Sequence, residues 1–397
     1  MTTPAPDPFA PVRLGQVQLR NRVLKAATFE GMSPGNIVTG SLIEFHRKIA
    51  AGGAAMTTVS YLAVSRDGMG APAEIYIHDA AADGLARIAD VVHGEGARIS
   101  AQLGHAGAVG LLRGKRVLGP SKGRTMAGTR VHQISLDGID DVVEAFAAGT
   151  RMLADAGFDC VELHFGHHYL VSAFLSPRWN HRRDDYGGSL ANRARLARRI
   201  AAAARQAAGA RVAVIAKLNM TDGVRGGLQP ADSVAAARLL QADGNLDALE
   251  LTAGGSQANQ MFMFRGAAPR AEMAAVLPRL PRLGLRLAGP LLLREYPYAE
   301  TYFLPLARQF RAALTMPLIL LGGITTTASI RQAMAGGFEF VAMGRALLRE
   351  PDLVARLASG QATAGTCIHC NKCMPSIYSG TRCVLDQPDP VPIARLF

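Results

Sequence analysis

Five cysteines in 397 residues are too few to staple a chain of this size, so a disulfide scaffold is excluded. No apolar run approaches the roughly 20 residues that a membrane span needs. The opening MTTPAPDPFAPVRL lacks the basic-then-apolar order of a secretory leader, and the expectation is a cytoplasmic protein. Lys and Arg total 43 against 31 Asp and Glu, a net charge of +12, yet no basic block or aromatic-interleaved stripe gathers them. That scatter argues against a nucleic-acid partner. Arginine-rich helix surface such as Arg193 to Arg205 accounts for much of the excess, and a smaller share can attract anionic cofactors. Beyond the alanine-rich Ala201 to Ala208 there is no repeat or low-complexity tract. What is present is a globular composition, 49% apolar and 19% charged with 42 glycines.

Eight segments read as strands: Arg22 to Thr28, Ala54 to Ser60, Arg98 to Gln102, Phe158 to His164, Ala213 to Asn219, Ala248 to Thr252, Leu318 to Gly322 and Phe338 to Gly344. Helical patterns separate most of them. Ser41 with Glu44 predicts a capping box, followed by Leu42, Phe45 and Ile49 on one face until Gly52 and Gly53. Asp141 with Glu144 predicts the same ahead of a helix ending at Gly157. Ser189 to Ala208 carries Leu196 and Ile200 on one side and ends at Gly209. Strand alternating with helix eight times predicts a (βα)8 TIM barrel, spanning 1–360 with a cysteine-bearing tail over 361–397. The interval 254–317 is too long for one crossover helix. It predicts an insertion after strand six that caps the active face.

The segment from Gly157 to Arg193, GFDCVELHFGHHYLVSAFLSPRWNHRRDDYGGSLANR, carries most of the chemistry. Its first residues form a short apolar run broken by Glu162, as a buried parallel strand reads. His164, His167 and Tyr169 therefore fall at a strand's carboxyl end, where such barrels place their catalysts. Zinc on His164, His167 and His168 is the rival reading, although no acidic or cysteine ligand can be placed at a neighbouring strand end. Neutral histidines can instead donate N–H groups to a substrate oxygen, and a tyrosine of ordinary pKa near 10 stays protonated and ready to donate. The turns LGGIT from Leu321 and VAMGRALL from Val341 let backbone N–H groups approach a phosphate after strands seven and eight, with Arg345 completing the pocket.

Together NRVLKAAT from Asn21, AQLGHAG from Ala101, HFGHHYL with FLSP and DDYGGS in that order, AKLN from Ala216 and the two glycine turns resemble the Old Yellow Enzyme family of FMN-containing NAD(P)H-dependent ene reductases. The resemblance covers nearly the whole barrel. It implies that Ala26, Ala27 and Thr28 line the flavin, with Thr28 near its reactive edge. Gln102 would bond the pyrimidine ring and Lys217 would place positive charge near N1. Gly322, Gly323, Gly344 and Arg345 would hold the FMN phosphate. His164 and His167 would bind the oxygen of an α,β-unsaturated carbonyl, hydride would pass from flavin N5 to the β carbon, and Tyr169 would protonate the α carbon. NAD(P)H would bind over the flavin without a dinucleotide fingerprint. Three departures stand out: Ala26 and Ala27 replace larger residues, His168 stands where glycine is usual, and Lys217 stands where many relatives use arginine.

Cys367, Cys370, Cys373 and Cys383 occur in CIHCNKCMPSIYSGTRC. Two-residue gaps suit metal ligation. The run resembles the 4Fe–4S motif of the branch that includes trimethylamine dehydrogenase and 2,4-dienoyl-CoA reductase, with a shorter last gap. Cluster and no cluster stay open, with zinc a third. The resemblance also leaves open a flavoprotein dehydrogenase that passes electrons through a cluster to a partner protein. Cys160 reads as a buried small apolar residue.

Overall fold

The eight apolar runs become eight parallel strands of one closed sheet in the computed structural model, which describes residues 5–110, 116–125, 128–256, 258–277 and 279–389. The outer ends of both expected units, 1–4 and 390–397, lie outside these residues. The barrel strands are β1 (Val23–Lys25), β2 (Met56–Ala63), β3 (Arg98–Gly104), β4 (Cys160–Phe165), β5 (Ala213–Asn219), β6 (Ala248–Thr252), β7 (Leu318–Leu321) and β8 (Phe340–Met343). Each pairs with its neighbours in sequence, and β1 pairs with both β8 and β2, which closes the ring. Nearly every strand residue is buried, because side chains face either the barrel axis or the helical layer and neither face meets water.

Leu24, Met56, Ile215, Ile319 and Phe340 fill the lower barrel. They pack with Leu14, Val17 and Leu19 of an antiparallel hairpin that stops the amino-terminal end. Gln102, Glu162, Lys217 and Glu250 lie farther along their strands toward the carboxyl-terminal mouth than this apolar layer.

The outer helices are α1 (Gly40–Ala51), α2 (Ala82–Gly94), α3 (Leu136–Asp155), α4 (Leu190–Ala208), α5 (Pro230–Asp243), α6 (Leu304–Ala313), α7 (Thr327–Ala335) and α8 (Leu353–Ala358). Two helix starts differ from expectation. Helix α1 is capped by Thr39, whose hydroxyl accepts the Leu42 N–H at 3.2 Å, while Glu44 turns to Arg47. Helix α3 is capped by Ser135 through the Gly138 N–H at 3.1 Å, so Asp141 and Glu144 lie inside it. In both cases an earlier extended hydroxyl residue takes the first orphan amide. Helix α4 starts at Ser189 and stops at Gly209, as expected.

Between β6 and α6 lie helices Gln260–Phe264, Arg270–Val276 and Arg279–Leu292. The end of the long interval is thus the barrel's own helix α6. Met261, Ala274, Leu285 and Leu293 of the insertion share a small core with Met374 of the tail. The tail crosses the mouth, with Gly365 N–H on the Thr325 carbonyl and Thr381 N–H on the Glu30 carbonyl, both at 2.8 Å.

Candidate active site

The axis-facing residues of five adjacent strands form one polar layer. Lys217 on β5 lies 3.0 Å from Glu162 on β4 and 3.0 Å from Glu250 on β6. The Gln102 side-chain amide on β3 donates to Glu162, and the Ser60 hydroxyl on β2 donates to Gln102 at 3.4 Å. Burial pushes the Glu250 carboxyl up to about 8 despite Lys217. For Lys217 itself, burial lowers the pKa, yet the two carboxylates outweigh it and leave the ammonium raised and charged. Glu162 and Glu250 were not singled out as partners in the sequence. Their signal was a carboxylate inside an apolar strand.

His164 is the penultimate residue of its strand, three residues before the left-handed turn that begins at His167. The Gly166 N–H donates to its Nδ1 at 3.4 Å. A backbone amide can only donate, so Nδ1 is the acceptor and the proton of the neutral ring sits on Nε2. Burial, then His167 and Lys217, hold the His164 pKa well below its ordinary value. His167 and His168 both adopt left-handed backbone, φ 59° and 65°, a conformation that favours glycine. It is stabilised from three sides: the His167 N–H donates to Asn219 Oδ1 at 3.1 Å, its carbonyl accepts the Ser256 N–H at 3.1 Å, and its Nε2 lies 2.8 Å from Thr252 Oγ1. Burial first, and then Lys217 and His168, lower the His167 pKa to about 3.

The Tyr169 ring lies 4.3 Å from the His164 ring and 5.4 Å from Tyr61, centre to centre, and the two histidines are 5.1 Å apart. Burial and then Glu74 raise the Tyr169 pKa, so its phenol stays protonated. The fold therefore brings His164, His167 and Tyr169 together. It does not converge His168 on them: that ring turns to Asp222, 3.6 Å away, and sits 5.5 Å from the Trp179 ring. Among the described residues no group of three or more His, Cys, Asp or Glu is arranged around a single ion, which removes the zinc reading on geometry.

At β1 the Ala26 N–H bonds the Met343 carbonyl at 3.0 Å. The buried Lys25 ammonium donates to the Ala26 carbonyl at 2.6 Å and to the Thr28 hydroxyl at 2.8 Å, and burial lowers its pKa to about 8 in spite of Glu30. Ala27 follows Ala26 directly after the strand. After β7, Gly322 and Gly323 have φ 99° and 75°, and a Cβ on Gly322 would stand 2.5 Å from the Phe303 ring. After β8, Gly344 opens directly into Arg345. Among the described residues no carboxylate pairs with Arg345; its guanidinium donates to the Arg265 carbonyl at 2.9 Å and to the Asn371 side chain. A guanidinium left without a counter-anion beside two glycine turns fits the phosphate of FMN. Cys367, Cys370, Cys373 and Cys383 line one pocket, which Arg345 also borders. The four thiols are free, and burial pushes the Cys373 thiol up to about 12. Four soft donors around a common space suit an iron–sulfur cluster.

A closed parallel barrel with neutral donors, and with a guanidinium lacking a counter-anion beside glycine turns at its carboxyl-terminal mouth, is an arrangement that can hold a phosphate-bearing cofactor. Residues 7–252 match the NADH:flavin oxidoreductase / NADH oxidase family. The chain is 51% identical to the 4,4'-dithiodibutanoate disulfide reductase of Rhodococcus erythropolis, over 97% of this chain and 96% of that protein. It is 29% identical to a metal reductase of Desulforamulus reducens over 93% of this chain, and spans about half, 52%, of that longer protein. Among solved structures, morphinone reductase superposes with a TM-score of 0.71 at 23% identity, over 91% of each chain. A 2-naphthoyl-CoA reductase complex gives a TM-score of 0.77 at 22% identity, over 92% of this chain and 54% of that one. The chain belongs to the NADH:flavin oxidoreductase / NADH oxidase family, and it is an FMN-dependent NAD(P)H oxidoreductase.

Proposed function

We propose that the chain reduces the C=C bond of a small α,β-unsaturated carbonyl compound at the expense of NAD(P)H. The observation that carries this reading is the Gly166 N–H on His164 Nδ1, which leaves a proton on Nε2 for a substrate oxygen. Bound FMN couples oxidation of the nicotinamide to reduction of the second substrate by hydride transfer. Thr28, Gln102 and Lys217 would hold its ring system, and Gly322, Gly323, Gly344 and Arg345 its phosphate. His164 and His167, both neutral, supply preorganised N–H groups where the carbonyl oxygen gains charge. Tyr169, kept protonated, supplies the second hydrogen as a proton to the α carbon. Replacing Tyr169 by Phe should slow enone-driven reoxidation of the reduced enzyme about 100-fold and leave flavin content intact. An unchanged rate in stopped flow would remove Tyr169 from the mechanism.

A second reading has one observation behind it, the 51% identity to a protein named as a disulfide reductase. In that case the acceptor is an S–S bond: two electrons and two protons convert R–S–S–R to two thiols, and Tyr169 protonates a departing thiolate. Parallel assays with cyclohexenone and with 4,4'-dithiodibutanoate decide between the two. The tail is proposed to hold a 4Fe–4S cluster on Cys367, Cys370, Cys373 and Cys383, through which a partner protein could exchange electrons. Iron and acid-labile sulfide near four atoms each per chain after anaerobic purification would support it, and their absence after reconstitution would remove it. No helix among the described residues is long and apolar enough to cross a membrane, in keeping with the proposal of a cytoplasmic enzyme.

A further inference from the structure

Arg265 follows the short helix Gln260–Phe264 of the insertion, with φ 40°. Its guanidinium carbon lies 5.1 Å from the centre of the Tyr302 ring, 5.3 Å from Phe262 and 6.0 Å from Tyr296. Among the described residues no carboxylate pairs with it, and its buried Nε has no hydrogen-bond partner. Burying a guanidinium N–H without an acceptor costs free energy that an arriving anion would recover.

The ring it covers marks the direction in which an acceptor lies. Tyr302 abuts the glycine turn so closely that a Cβ on Gly322 or Gly323 would meet it at 2.8 Å. Arg345 reaches the same neighbourhood from β8: both guanidiniums act on the Tyr302 hydroxyl, opposing the upward push of burial. Arg345 also holds the Arg265 carbonyl at 2.9 Å, and Asn371 holds it at 3.1 Å. The two cations are thus tied together through main chain and meet at one tyrosine beside the glycine turns, with no carboxylate among the described residues to neutralise either.

We propose that Arg265 is the second guanidinium of the FMN phosphate site, so that the insertion after β6 clasps the cofactor as well as walling the mouth. The inference rests on the reading that the phosphate sits on Gly322, Gly323, Gly344 and Arg345. A phosphate monoester carries close to two negative charges at neutral pH, and a pair of guanidinium forks satisfies its charge and its oxygens together.

The test compares FMN with riboflavin, which lacks the phosphate, by quenching of flavin fluorescence on titration with apoprotein prepared from the full chain. Arg265→Gln is expected to weaken FMN about 10- to 100-fold and riboflavin less than about 2-fold. Arg265→Lys, which retains charge and stem but loses the fork, should fall between and decides the matter if the Gln variant does not fold. Equal losses for the two flavins, or none, would overturn the proposal and leave Arg265 as packing for its three rings. Arg345→Gln, measured alongside, separates the two levels. If it too treats FMN and riboflavin alike, the phosphate lies elsewhere and the underlying reading has failed; if it discriminates while Arg265→Gln does not, only the present proposal has.

Discussion

At the residue scale, burial sets the chemistry of the mouth. His164 and His167 are kept neutral not by a carboxylate but by desolvation, helped at His164 by His167 and Lys217 and at His167 by Lys217 and His168. The linkage follows in sign. Between pH about 6.5 and about 3 the unfolded chain protonates His167 and the native one does not, so that histidine removes stability as the pH falls through that window. Glu250 acts in the opposite direction. Its native carboxyl holds a proton up to about 8 and its unfolded one only to about 4.3. The native state therefore binds the extra proton between those values, and stability declines as the pH rises through them. Glu250→Gln, which mimics the protonated side chain, should flatten that decline. A melting-temperature difference between pH 6 and pH 8.5 that stays as large as in the parent would refute the assignment.

At the element scale, caps and strand ends place the site. The eight strands were legible because each is buried on both faces and reads as a continuous apolar run between glycines and polar loops, whereas their ends moved: Arg22 to Thr28 shortens to Val23–Lys25 and Ala54 to Ser60 shifts to Met56–Ala63. The starts of α1 and α3 were less so. An S/T/D-x-x-E spacing occurs by chance inside helices, whereas a working cap also needs extended backbone, which Thr39 and Ser135 have. Ser135→Ala should accordingly cost about 1 kcal/mol of stability, while Asp141→Ala, inside the helix, should change it by less than about 0.5 kcal/mol. Denaturant midpoints measure both, and a larger loss at Asp141 would restore the other cap. The His167–His168 turn is the element where local preference is most overridden. Two non-glycine residues at positive φ persist because Asn219, Thr252 and Ser256, from three other segments, bond the first of them.

Across the whole molecule, the tail is stitched to three parts of the mouth. Thr381 bonds the backbone of Phe29 and Glu30 beside β1, Gly365 bonds Thr325 after β7, and Asn371 bonds Arg265 and Ala267 of the insertion while accepting from Arg345. Through Asn371, Arg345, proposed to hold the FMN phosphate, touches the cysteine segment. In metal-free protein, FMN should therefore slow alkylation of Cys367, Cys370, Cys373 and Cys383 about 10-fold, an order-of-magnitude expectation for a segment whose local opening becomes linked to a ligand. Asn371→Ala should abolish most of that protection. Peptide mass spectrometry reads both effects, and equal alkylation with and without FMN would show that the tail does not sense the cofactor.

What the chain determined by itself was whatever depends on neighbours in sequence. The eight buried strands, the helix begun by Ser189, the ordered set of motifs that marked the family and the placement of His164, His167 and Tyr169 on one loop all follow from local pattern. Only the tertiary structure decided which distant groups face one another. It joined Glu162 and Glu250 to Lys217, turned His168 away toward Asp222, and brought Arg265 beside Tyr302. Closing a sheet into a barrel aligns strand ends that lie tens to hundreds of residues apart, and no periodicity along the chain encodes that alignment.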